Sequence, residues 1–189
     1  MQDAWQEFAS QTDNQLMVLV RDERCVRSFE VLVDRWREPI VRLCYRMVYS
    51  WDDAEDMTQE VFSRLFQNRI RYTSSAQFST YIWKIAINRC RDFHRAAERM
   101  NKRQRELIES TTSQHRLFAP ADDTEDRVRV ALNKLPPMFR EVLILRHYQN
   151  LKFKQISDVL EIPFGTVASR MSKALKLLGE QLGSDSKTQ

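Results

Sequence analysis

No glycine occurs before Gly165 in this chain, and only Gly179 and Gly183 follow it. Tight turns with positive φ need glycine, and a β-rich fold needs many such turns spread along its length. The same gap excludes a glycine-rich phosphate loop from everything before Gly165. An all-α fold is what remains, and the hydrophobic periodicity agrees with it. Leu16, Val18, Leu19 and Val20 predict a short first helix. Phe29, Leu32, Val33 and Trp36 then recur at helical spacing. Pro39 predicts a new helix start, because proline is tolerated in a first turn. Ile40, Leu43, Cys44, Met47 and Val48 continue as its stripe. Trp51-Asp52-Asp53 predicts a break with an aspartate as N-cap. Ala54, Met57, Val61, Phe62, Leu65 and Phe66 line the helix that follows. A polar loop is expected over 68–75, and then a long helix from about Gln77 to beyond Arg95.

Two small helical domains on a flexible tether are expected. The first spans 13–100. Residues 101–121 are expected as linker, since Ser110-Thr111-Thr112-Ser113 and Ala119-Pro120-Ala121 have no apolar period. The second domain spans 122–182, and 183–189 form a frayed polar tail. In the second domain, Val128, Val130, Ala131, Leu132 and Leu135 mark one helix, ended by Pro136-Pro137. Phe139, Val142, Leu143, Leu145 and Tyr148 mark the next.

Several function classes lose support at this level. Cys25, Cys44 and Cys90 are odd in number and far apart, with no CxxC pair, and His94, His115 and His147 lack metal-ligand spacing. Buried thiols in a reducing cytoplasm are expected, with no metal and no cofactor. The acidic start Met-Gln-Asp-Ala-Trp-Gln-Glu does not resemble a signal peptide. The longest apolar runs fall far short of the roughly 20 residues that cross a membrane, so no membrane insertion is expected.

Lys152 to Leu178 carries the clearest functional pattern. Phe153, Ile156, Val159 and Leu160 form one short amphipathic helix, and Glu161-Ile162-Pro163 breaks it. Val167, Met171, Ala174, Leu175 and Leu178 are expected on the inner side of a second helix. Two short helices across a tight break are a helix-turn-helix, whose second helix enters a DNA major groove. Its outward residues are Thr166, Ser169, Arg170, Lys173 and Lys176, and no carboxylate lies between Glu161 and Glu180 to repel phosphate.

Two further segments need partners. Asp52 to Phe62 holds five carboxylates and no cation. Macrodipole complementation accounts for Asp52 and Asp53, but not for acidity that reaches Glu60 in the third turn. Such a patch in a DNA-binding chain suits a basic protein partner. From Gln77 to Arg95, aromatic Phe78, Tyr81 and Trp83 precede Lys84, Arg89, Arg91 and Arg95. Aromatic faces stack on unpaired bases and cations follow phosphates, a mixture suited to opened DNA. Tyr81 and Trp83 cannot both share the core face of Ile82, so at least one is expected near the surface.

Three motifs in this order resemble bacterial RNA polymerase sigma factors of the sigma-70 family: Asp-Asp-Ala-Glu-Asp…Gln-Glu-Val-Phe, Phe-Ser-Thr-Tyr…Trp-Lys-Ile-Ala-Ile-Asn…Arg-Asp, and Ile-Pro-Phe-Gly-Thr-Val-Ala-Ser-Arg. The short length resembles the extracytoplasmic-function (ECF) type, which keeps regions 2 and 4. The resemblance implies that Asp53, Glu55, Asp56, Gln59, Glu60 and Phe62 grip the β′ clamp helices of core polymerase. It implies that Tyr81, Trp83, Asn88, Arg91 and Asp92, with Arg95 beside them, bind the −10 promoter element. It implies that Thr166, Ser169, Arg170 and Lys173, with Lys176, read the −35 element. Core polymerase (β′ clamp helices and β flap), promoter DNA and an anti-sigma factor are the implied partners. The implied role is cytoplasmic and non-enzymatic. Ala168 departs from the family's usual basic residue before Ser-Arg, and Met171 and Leu177 replace cations common further on.

Two other classes compete. A plain helix-turn-helix regulator binding duplex as a dimer accounts for the C-terminal domain but gives the acidic and aromatic-basic segments no role. A metal-dependent nuclease needs carboxylates converging from several elements, whereas those from Asp52 to Glu60 lie along one helix.

Overall fold

The computed structural model describes residue 8 and residues 10–75, 77–107 and 124–185. Among these, helices α1 (Asp13–Glu23), α2 (Val26–Val48), α3 (Trp51–Gln67) and α4 (Phe78–Leu107) form a first bundle, with a 3-10 turn at Arg69–Arg71. Helices α5 (Thr124–Lys134), α6 (Pro137–His147), α7 (Phe153–Leu160) and α8 (Phe164–Asp185) form a second. No strand occurs among the described residues.

Local chemistry sets most of the helix ends. Thr12 caps α1, its hydroxyl accepting from the Gln15 N–H at 3.3 Å while Gln15 Oε1 accepts from the Thr12 N–H at 2.9 Å. The expected aspartate cap of α3 is instead Ser50, whose Oγ accepts from the Asp53 N–H at 3.3 Å. Asp52 and Asp53 therefore occupy the first turn, where they complement the macrodipole. Pro137 begins α6, as proline at a first helical position should.

Pro39 does not start a helix. It lies inside α2, which runs unbroken from Val26 to Val48. Interior proline costs roughly 3 kcal/mol. The stripe Leu32, Ile40, Leu43, Cys44 and Met47 is wholly buried along both halves, and that burial outweighs the missing N–H. The expected polar loop over 68–75 is also partly internal. Tyr72 is 2% exposed, and its hydroxyl donates to Asn14 Oδ1 at 3.0 Å. Asn14 Oδ1 also accepts from the Phe78 N–H at 2.7 Å, so a residue of α1 satisfies the start of α4. Helix α4 continues to Leu107, so 101–107 of the expected linker is helical. The rest of that linker lies outside the described residues. Helix α8 likewise runs to Asp185, past the expected start of the tail.

The first core is made by Leu32, Leu43 and Met47 of α2, Met57, Val61 and Leu65 of α3, and Ile82, Ala86 and Ile87 of α4. Val142 to Leu145 of α6, Ile156 and Val159 of α7, and Val167, Met171 and Ala174 of α8 make the second. Leu175, expected inside, is 47% exposed. The turn between α7 and α8 puts Glu161 at φ 55°, and Ser157 Oγ donates to the Ile162 carbonyl at 2.6 Å to close it.

The bundles are not held apart. Their buried side chains form one continuous apolar cluster. Arg46 stacks over the Tyr148 ring at 4.1 Å, and Arg140 of α6 donates to the Met47 carbonyl of α2 at 2.6 Å.

Candidate nucleic-acid and polymerase interfaces

Helix α3 presents Asp52, Glu55, Asp56, Gln59 and Glu60 to solvent, because Ala54, Met57, Thr58 and Val61 take the buried side. The segment has no cation of its own, but the fold brings three to it. Arg37 Nη2 is 3.4 Å from Glu55 Oε1, Arg89 Nη2 donates to Glu60 Oε1 at 3.0 Å, and Arg64 is 3.8 Å from Glu60. Among the described residues, Asp52, Asp53 and Asp56 carry no ion pair. Phe62 differs from its expected surface role. It is 7% exposed and meets the Phe29 ring edge-on at 6.4 Å, so it supports the acidic face from beneath. A cleft of about 760 Å³ adjoins the start of this helix, lined by Trp51, Glu55, Tyr45 and Arg46 on one side and Val128, Leu132 and Tyr148 on the other.

On α4, Tyr81, Lys84, Asn88, Arg91 and Arg95 succeed one another at steps of three and four, which puts them on one stripe. Trp83 lies off it. The indole is 4% exposed and packs edge-on against Trp36 at 5.3 Å, so Trp83 is a core residue and not a surface contact. Tyr81 is half-buried, its ring 5.3 Å from that of Tyr72. Burial raises its hydroxyl pKa against the opposing charge of Arg71. Asn88 Oδ1 accepts from Arg91 at 3.4 Å. Asp92 accepts from Arg64 at 3.1 Å and from Arg95 at 2.6 Å. Burial alone would raise the Asp92 pKa, but these two guanidinium bonds outweigh it and hold the carboxyl below its ordinary value. Lys84, expected among the cations of this segment but not among the residues the resemblance assigned to the −10 element, lies on the stripe four before Asn88 and three after Tyr81.

The stripe is already occupied. Arg91 grips Glu141 of α6 with two bonds, Nε to Oε1 at 2.8 Å and Nη2 to Oε2 at 2.7 Å. The bond to Glu141 raises the Arg91 pKa against the opposing effect of burial. Lys84 Nζ donates to Glu161 at 2.6 Å. Beside the Lys84–Glu161 pair lies a groove of about 620 Å³ bounded by Arg71, Thr80, Tyr81 and Lys84 on one wall and Ser157, Asp158, Glu161 and Ile162 on the other.

Helix α8 puts Ser169, Lys173 and Lys176 opposite the buried Val167, Met171 and Ala174, with Thr166 and Arg170 half-buried on the flank. Ser169 Oγ donates to the Thr166 carbonyl at 3.1 Å, and Lys176 reaches Glu180 at 4.0 Å. Lys173 Nζ is 5.6 Å from the centre of the Phe139 ring. Met171, at 6% exposure, completes the core. Among the described residues no group of His, Cys, Asp or Glu could hold a metal, and no helix is long and apolar enough to cross a membrane. Cys44 and Cys90 are buried free thiols with sulfurs 4.0 Å apart.

Comparison with known proteins gives these faces a common context. Residues 32–100 match the Sigma-70 region 2 family and residues 125–178 match Sigma-70, region 4. The chain is 30% identical over 166 residues to the ECF RNA polymerase sigma factor SigW of Bacillus subtilis, covering 82% of this chain and 89% of that protein. It is 23% identical over 186 residues to the ECF RNA polymerase sigma-E factor of Escherichia coli, covering 93% and 97%. In fold it is similar to CnrH, solved in complex with the cytosolic domain of CnrY, with a TM-score of 0.71 at 20% identity over 93% of this chain and 99% of that one. It is also similar to the sigma factor RpoE of Bartonella quintana, solved with the anti-sigma factor NepR, with a TM-score of 0.66 at 18% identity over 84% and 99%. With region 2 and region 4 in order and a relative of this identity matched along most of its length, the chain belongs to the ECF sigma factors of the sigma-70 family.

Proposed function

We propose that this promoter-recognising sigma factor divides its work among three faces. The α3 carboxylates hold the β′ clamp helices, the α4 stripe engages the −10 element, and the outer face of α8 reads the −35 element. The observation that carries this reading is the segregation of charge. Acidic side chains project from α3, whereas α4 and α8 present cations at helical spacing. Phosphate repels the first face and attracts the other two. Opening DNA costs on the order of 1.4 kcal/mol per base-pair step in lost stacking, which contacts to unpaired bases and phosphates can offset without covalent chemistry. Initiation is then driven by binding alone.

An anti-sigma protein is the expected inhibitor, since the similar RpoE was solved with one. The cleft between Trp51 and Tyr148 borders the acidic face and is open to such a partner. In vitro transcription with purified core enzyme tests the reading. The chain should direct initiation on a subset of a promoter library, and a double reversal Asp53→Lys with Asp56→Lys should abolish it by loss of core binding. Retained core binding would overturn the role of α3.

A further inference from the structure

We propose that the cleft beside Trp51 binds a nucleotide, its base stacked on the Trp51 ring and its phosphates held by the arginines of the cleft. The site lies next to the polymerase face and depends on none of the assignments above. At about 760 Å³ the cleft has the size of a small-molecule site, and like one it is lined by aromatic and apolar side chains with a few polar groups among them. Tyr45 and Trp51 stack with ring centroids 4.1 Å apart and planes 13° from parallel. Trp51 nonetheless stays 53% exposed, so its far face is offered to a third ring. Every base has a π-face that such a platform accepts.

Charge selects an anion. Four arginines, Arg37, Arg42, Arg46 and Arg129, line the cleft against two carboxylates, Glu38 and Glu55. Glu38 pairs with Arg42, and Glu55 lies 3.4 Å from Arg37. Arg46 is fixed differently. Its guanidinium rests on the Tyr148 ring at 4.1 Å, and Nη1 donates to the Arg42 carbonyl at 3.2 Å. Nε and Nη2 remain as donors on a held plane, which suits phosphate. The floor supplies a neutral donor. Tyr49 is 7% exposed and lines the cleft, and its hydroxyl has no hydrogen-bond partner among the described residues. Burial keeps that hydroxyl protonated and able to donate. Tyr49 also sits at φ 57°, a left-handed conformation rare for a bulky side chain. Strain of this kind persists where the surroundings hold it, and it gathers at ligand sites. Val128, Leu132 and Tyr148 face Tyr45 and Trp51 across the cleft, so a ligand there touches both bundles and should stabilise the chain.

Calorimetric titration of the full chain with ATP and with GTP tests the site, with adenosine and tripolyphosphate as the two halves of the ligand. Saturable binding of at least one nucleotide, with a raised melting temperature, is expected. Each half should bind at least about tenfold more weakly than the whole. Trp51→Ala, at an exposed site, should weaken the nucleotide about tenfold by loss of the stack. Arg46→Gln should weaken it and make the remaining affinity less sensitive to salt. Tyr49→Phe keeps the ring and removes the hydroxyl. It should weaken binding while the unliganded chain melts no lower than wild type, because the lost hydroxyl had no partner. Arg95→Ala and the pair Lys173→Ala with Lys176→Ala remove cations from the DNA faces and should leave the titration unchanged. Absence of binding at millimolar nucleotide would overturn the proposal. So would tripolyphosphate binding as tightly as the nucleotide, or affinity kept in Trp51→Ala but lost in the α8 pair, either of which would reduce the effect to charge attraction.

Discussion

Arg140 Nη1 donates to the carbonyl oxygen of Met47 across the seam between the bundles, at 2.6 Å. The same guanidinium donates to the carbonyls of Leu132 at 3.0 Å, Asn133 at 2.5 Å and Leu135 at 3.1 Å. These acceptors lie at the C-terminal ends of two helices, α5 within its own bundle and α2 in the other. Arginine suits the position because its planar fork carries five donors and a charge that favours helix C-termini. Burial lowers its pKa, and the neighbouring Tyr49 and Glu141 oppose that shift. Beneath it, the Tyr49 hydroxyl is pushed up to about 12, mainly by burial.

Replacing Arg140 with methionine should remove a charged donor from all four carbonyls, leaving Leu132 with the Leu135 N–H and Met47 with His94. The expected loss is roughly 2–4 kcal/mol, since hydrogen bonds to a charged group are worth more than neutral ones and buried acceptors are costly to strand. Calorimetric unfolding checks this. Two transitions in place of one would show that Arg140 couples the bundles, whereas an unchanged profile would remove it from the seam.

His94 should make the seam acid-sensitive. Its Nε2 lies 3.2 Å from the same Met47 carbonyl. Burial is the main reason its pKa falls below the ordinary 6.5, and the charge of Arg140 lowers it further. Glu98, Glu141 and the Met47 carbonyl oppose the shift. With the folded pKa depressed, the unfolded chain binds more protons in acid. The stability is present above the unfolded value of 6.5 and is lost as pH falls through the lower folded value. Melting temperature followed from pH 7.5 down to 5 should fall, and His94→Gln should flatten the acid limb. An identical acid limb in both proteins would exclude His94.

Phe62 and Trp83 should behave as core residues and not as contacts. Each →Ala substitution should cost roughly 3–5 kcal/mol through lost burial and the cavity left behind. Asp56→Asn, on the same helix as Phe62 but solvent-exposed, should change stability by no more than about 0.5 kcal/mol. Denaturant unfolding distinguishes the classes. A stable Trp83→Ala with impaired strand opening would return Trp83 to the DNA surface.

The helices were legible because their signal is local. Ala54, Met57, Val61 and Leu65 follow one another about one turn apart, and the period of 3.6 sorts them inward without knowledge of the partner. The charged stripes followed by subtraction. What could not be read depends on distance along the chain. Glu60 acquires Arg89 from 29 positions away, and Arg140 finds Met47 from 93 away. Trp83 was ambiguous because Tyr81, Ile82 and Trp83 are consecutive, and only the position of Trp36 decides which rings are enclosed. Pro39 was misleading because propensity is a weak prior, and the continuous buried stripe of α2 overrides it.

The outer face of α8 should separate sequence reading from charge attraction. Arg170 is half-buried beside Met171 and lies one turn from Thr166, so its approach to a groove is constrained. Lys176 lies further along, exposed, with only a 4.0 Å contact to Glu180. A base-reading Arg170→Ala should lose roughly 1–3 kcal/mol on a preferred duplex and relax preference at one position. Lys176→Ala should weaken all duplexes alike and lower the slope of log affinity against log salt by about 1. Ala168 offers a third arm. Its methyl group can make only an apolar contact, so Ala168→Arg should raise affinity for every duplex without sharpening preference. Binding selections on a randomised duplex library at two salt concentrations measure all three. Equal salt slopes in wild type and Lys176→Ala, with unchanged preference in Arg170→Ala, would show that α8 presents another face to DNA.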